Sequence, residues 1–64
     1  MFKLEINTDG SAFRDPITGD ESAVYEAIEV ADILLHIVEK IQNDYREGSE
    51  NDINGNKVCK WRFE

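Results

Sequence analysis

The sequence predicts an α+β domain: one long helix packed on a small three-stranded, mostly antiparallel sheet, in the order β-α-β-β. Three observations predict it. Residues 2–7 alternate, with Phe2, Leu4 and Ile6 on one face and Lys3, Glu5 and Asn7 on the other. Residues 57–63 alternate again, with Cys59, Trp61 and Phe63 opposite Val58, Lys60 and Arg62. Between these runs apolar residues recur every three or four positions, which is the helical period. A chain of 64 residues holds one domain at most, here taken as 1–64.

The elements follow in order. Asp9-Gly10 ends the first strand. Ser11-Ala12-Phe13 reads as a short irregular piece with Phe13 turned inward. Residues 15–19 form a loop by their Pro and Gly content. Thr18-Gly-Asp-Glu21 has the spacing of a capping box, so the helix is expected to start at Thr18, with Ser22 as a rival cap. Asp20 and Glu21 suit the positive end of the helix dipole. Gly48 is expected to terminate the helix just after Glu47 in the left-handed conformation. A helix so bounded is about 40 Å long.

Val24, Ala27, Ile28, Ala31, Leu34, Leu35, Val38, Ile41 and Tyr45 make one continuous stripe, expected to face the sheet. Val30, Ile33 and Ile37 widen the apolar arc on one side. They are expected either to pack under residues 8–19 or to form a homodimer seam. A second short strand is expected near 49–53. Asn54-Gly55 then turns it through a type I′ hairpin into the final strand. A right-handed crossover makes the first two strands parallel, and the last strand inserts between them.

No covalent staple is available. One cysteine forms no internal disulfide, and one cysteine with one histidine makes no structural zinc site. The lone cysteine suits a reducing cytoplasm. The N-terminal residues alternate and are charged from Lys3, unlike a signal peptide. The longest apolar run, Ile33-Leu34-Leu35, is far too short to span a membrane.

Charge is the informative property. The net charge is −7, which argues against direct binding to nucleic acid or an anionic membrane. It is unevenly placed: residues 15–52 carry a net of −9, whereas residues 53–64 carry +2. No basic residue occurs between Arg14 and Lys40. On the helix, Glu21, Tyr25, Glu26, Glu29, Asp32, His36 and Glu39 fall on the arc opposite the stripe and form the candidate partner-binding surface. Glu26, Glu29 and Asp32 are three apart. Carboxylates one turn apart lie about 6 Å apart along the axis, close to the phosphate spacing of a nucleic-acid strand. Such like-charge neighbours destabilise an isolated helix slightly. A surface selected only for stability intersperses Lys and Arg, so the acidic face is either a solubilising surface or a mimic of a nucleic-acid backbone.

Other chemistries find little support. Glu5 to Gly10 and Glu50 to Gly55 each resemble the start of an EF-hand loop, but the twelfth positions are Pro16 and Trp61 rather than Glu. His36 lies between Asp32 and Lys40 without a nucleophile. Cys59 is expected on the core face, away from the charge that activates a thiol. Trp61 and Phe63 resemble a base-stacking platform, but they share the face that the helix covers. No catalytic residue, metal or cofactor is therefore expected.

The residues Asn7-Thr8-Asp9-Gly10-Ser11-Ala12-Phe13, the helical Glu29-Val30-Ala31-Asp32-Ile33-Leu34, and Asp52-Ile53-Asn54-Gly55-Asn56-Lys57-Val58-Cys59-Lys60-Trp61 cover about a third of the chain. They resemble a family of small proteins encoded in phages and prophages. Its members read N-T-D-N-A-A-F at the end of the first strand and D-x-N-G-N-x-V-G-x-W at the hairpin. Gly10-Ser11 replaces Asn-Ala, and Cys59 stands where Gly is common. The resemblance implies a phage setting, and small acidic phage proteins of this build include anti-CRISPR inhibitors. The expected function is a DNA-mimic-like inhibitor in the bacterial cytoplasm that blocks a basic DNA-binding surface of a host CRISPR effector complex. It would be a monomer or weak homodimer. The alternatives are a phage structural or accessory protein, or an antitoxin-like partner of a basic protein.

Overall fold

The computed structural model describes residues 1–20 and 22–64. It contains strand β1 (Phe2–Ile6), a 3-10 turn (Ser11–Phe13), helix α1 (Ala23–Gln42), strand β2 (Glu47–Asn51) and strand β3 (Lys57–Phe63). The sheet order is β1-β3-β2, and both pairings are antiparallel. This is the expected α+β arrangement with the last strand in the middle. On the inner face Phe2, Leu4 and Ile6 lie opposite Phe63, Trp61 and Cys59. On the outer face Glu5 pairs with Lys60 and Glu47 with Arg62, opposite charges that favour this register.

The helix is shorter than expected. Ser22, not Thr18, is its cap, accepting a hydrogen bond from the Tyr25 amide. The expected capping box includes Glu21, which lies outside the described residues. Thr18 belongs instead to a separate turn. The Asp15 carboxylate accepts from the amides of Ile17 and Thr18, and the Thr18 hydroxyl accepts from the Asp20 amide. At the other end the chain leaves the helix through Asp44 at φ 69°. Short polar side chains tolerate this left-handed region better than most. Gly48 is therefore not the terminator. It lies in β2, where an added Cβ would come within 2.9 Å of Trp61 Cζ2. Its missing side chain makes room for the indole. The 20-residue helix is about 30 Å long.

The core contains Phe13, Ile33, Ile37, Cys59 and Trp61, with Leu4, Ile6, Ala12, Val30, Ile41, Val58 and Phe63 packed around it. This corrects the expected helix orientation. Val30, Ile33 and Ile37 do not form a dimer seam; they pack with Ala12 and Phe13, as one of the two expectations had it, and join Cys59 and Trp61 of the sheet in the same core. Most of the expected core stripe is exposed instead, including Val24, Ile28, Leu34, Leu35, Val38 and Tyr45. The apolar arc covers well over half of the helix circumference, and the sheet contacts only one side of it.

The hairpin also differs from expectation. The Gly55 amide bonds the Asp52 carbonyl, and the Asp52 amide bonds the Asn56 carbonyl. Gly55 has φ 81°, but Asn54 is not in the left-handed region. A type I′ turn needs positive φ at both central residues, so this is a type I turn followed by a left-handed glycine. Asp52 selects it, because its Oδ1 accepts from the amides of both Asn54 and Asn56. We expect Gly55→Val to cost about 2 kcal/mol and Gly55→Asn less than about 1 kcal/mol. Asn54→Ala should also cost less than about 1 kcal/mol, since no positive φ is demanded there. Urea denaturation of the three variants checks this; equal losses at Asn54 and Gly55 would restore the type I′ turn.

Candidate docking edge between the helix and strand β2

The expected partner-binding residues separate into distinct environments. Tyr25, Asp32, His36 and Glu39 are exposed on α1. Glu26 is also exposed, but it lines a different hollow, with Thr8, Asp9, Arg14 and Ser22 at the start of the helix. Glu29 is only 6% exposed. It is therefore withdrawn from the surface on which the sequence reading placed it. The reason is its position on the helix: it directly flanks the packing side that carries Ile33 and Ile37. With Glu29 buried, the ladder of Glu26, Glu29 and Asp32 loses its middle rung. Glu21 lies outside the described residues.

Two adjoining hollows run between α1 and β2 and meet at His36. Glu29, Asp32, Leu35, His36, Asp52 and Ile53 line the first. His36, Glu39, Lys40, Asn43, Tyr45 and Glu50 line the second. The helix and β2 together thus make one acidic edge. Asp32 and Glu39 are its exposed acids; Glu50 and Asp52, which the sequence reading missed, line it from within and are as buried as Glu29. A signal for Glu50 existed: it lies opposite Cys59 in the register, so it shares the inward face of the sheet. A buried indole N–H also needs an acceptor.

Glu50 is that acceptor. Its Oε2 receives the Trp61 Nε1–H at 3.1 Å and the Lys40 Nζ at 2.8 Å. Lys40 Nζ also donates to the Ser49 carbonyl at 3.2 Å. Lys40 is therefore committed to the fold and does not neutralise the exposed acids. Among the described residues the acids in ion pairs are Glu50 and Glu64, and Asp32 and Glu39 are in none. Asp52 Oδ2 is buried without a hydrogen-bond partner.

Cys59 is buried, and burial pushes its thiol pKa up. Glu50 adds to the rise and Lys40 opposes it. The thiol stays protonated at neutral pH and is a poor nucleophile. Among the described residues no group of three or more His, Cys, Asp or Glu side chains is arranged to hold a metal ion. No described helix is long and apolar enough to cross a membrane.

The sheet's outer face has the opposite character. Lys3, Lys57, Lys60 and Arg62 line a shallow depression there with Glu5 and Glu47. Compared with protein-family models, with curated proteins and with solved structures, the chain matches none of them.

Proposed function

We propose that this protein is a non-enzymatic, protein-binding inhibitor that docks its acidic helix edge on a basic, DNA-binding surface of a host protein. The observation that carries this reading is the pair Asp32 and Glu39. Both are exposed, and among the described residues neither takes part in an ion pair. They are seven residues apart, or roughly 10 Å along the axis. That spacing does not reproduce a phosphate ladder. The mechanism is electrostatic occupation of a Lys/Arg groove, not atom-for-atom mimicry. Complementary charge steers the encounter, and the bound protein excludes DNA.

The resemblance to phage-encoded proteins suggests the target, a CRISPR effector complex in the bacterial cytoplasm. The test is displacement of double-stranded DNA from purified effector complexes. The protein should displace DNA, and its affinity for the effector should fall steeply as salt rises from about 50 to 200 mM. Asp32→Lys with Glu39→Lys should weaken displacement at least tenfold while the circular dichroism spectrum is kept. Failure to displace DNA from any effector would overturn the target. Undiminished activity of the double reversal would overturn the edge.

A further inference from the structure

We infer that the solvent face of α1 is a self-association surface, on which a second copy of this chain packs its own α1 antiparallel. Val24, Ile28, Ala31, Leu35 and Val38 are spaced by four, three, four and three residues. This is the 3.5-residue repeat of a coiled-coil seam. The repeat has no role within the domain, because the sheet is packed by Ile33 and Ile37 on the other side. Val24, Ile28, Leu34, Leu35 and Val38 are 41–66% exposed.

The chain exposes more surface than a compact monomer of its mass. A folded monomer of 7.3 kDa is expected to show about 4,200 Å² of accessible surface. This chain shows 4766 Å². The radius of gyration is 12.5 Å, against about 11 Å for a compact chain of this length. The excess goes with an elongated shape, 39 × 19 × 17 Å, in which the solvent face of the helix is left uncovered.

The flanks of the seam choose the orientation. One flank is apolar, with Ala27 and Leu34; the other carries Asp32 and Glu39. A parallel pair sets Leu34 against the partner's Glu39 and Ala27 against the partner's Asp32, twice over, which desolvates carboxylates against apolar groups. An antiparallel pair sets Leu34 against the partner's Leu34 on one side and brings the two acidic flanks together on the other, a like-charge contact at the hydrated edge of the seam that costs less than setting carboxylates against apolar groups. It also sets Ala31 against the partner's Leu35, small against large. The arrangement is two-fold and closed. It does not depend on the inhibitor reading.

Sedimentation equilibrium on the whole chain tests it. The mass should rise with concentration from the 7.3 kDa monomer towards twice that value. Leu35→Glu should weaken association at least a hundredfold and leave the helix signal in circular dichroism unchanged, because Leu35 is 64% exposed in the monomer. In a Cys59→Ala background, Leu34→Cys should cross-link the dimer faster than Leu35→Cys. A wild-type monomer at millimolar concentration, or a dimer indifferent to Leu35→Glu, overturns the interface. Faster cross-linking through Leu35→Cys overturns the antiparallel orientation.

Discussion

Trp61→Ala is expected to leave the chain largely unfolded at 25 °C. Trp61 is the largest side chain of the core, lying in the central strand between Leu4 on β1 and Gly48 on β2. Truncating a buried tryptophan costs about 3–5 kcal/mol. Domains of this size without staples rarely hold more than about 3–5 kcal/mol in total. Two further losses accompany the cavity. Glu50 loses the indole N–H, and Gly48 loses the ring that fills the space beside it. Trp61→Phe should be milder, since it keeps most of the apolar volume and sacrifices one hydrogen bond. Urea denaturation followed by circular dichroism reads both. An unchanged midpoint for Trp61→Ala would mean that the indole is not the core of this fold.

The second large effect is expected at Lys40. Lys40→Met removes the cation that, among the described residues, lies against the buried Glu50 carboxylate, at 2.8 Å. Breaking a buried pair from one side leaves an uncompensated charge and costs about 3–5 kcal/mol. Lys40 is itself 37% exposed, so solvent screens the pair and the loss should be nearer 2–3 kcal/mol. Glu50→Gln keeps an acceptor for Trp61 and should be milder. The double variant should be more stable than Lys40→Met alone, because no buried charge remains. Such coupling is the signature of a shared network. Strictly additive losses would show that Lys40 and Glu50 do not act as a pair.

The sheet was legible in the sequence because two short runs alternate with charged residues on one face. Once Cys59, Trp61 and Phe63 were assigned inward, Leu4 and Ile6 had to be their neighbours, and the crossover left the middle place to the last strand. The helix was legible as a helix but not in its rotation. Periodicity reports the width of an apolar arc; it does not say which part of the arc a small sheet will cover. Here the buried side is flanked by Glu29 and Lys40, two charges that made it look like the margin of the apolar arc and not its centre. Lys40 is there to neutralise Glu50, a partner on a strand that the sequence reading placed two residues too late. Boundaries failed for a related reason. Asp15 and Thr18 are used in their own turn, and Asp44 takes the left-handed position that Gly48 was expected to fill. The candidate site divided along the same line. Asp32, His36 and Glu39 remain together on one edge, while Glu29 is buried and Glu26 belongs to another hollow.

The docking edge is tested most directly by comparing two double reversals that change the net charge equally. One is Asp32→Lys with Glu39→Lys, on the edge. The other is Asp9→Lys with Glu26→Lys, at the separate hollow near the start of the helix. Each is titrated against a DNA-loaded effector complex at fixed salt, with folding verified by circular dichroism. The account predicts at least a tenfold loss of DNA displacement for the edge variant and less than a twofold change for the other. Equal losses in the two would mean that net charge alone is being read, and full activity of the edge variant would contradict the proposed site.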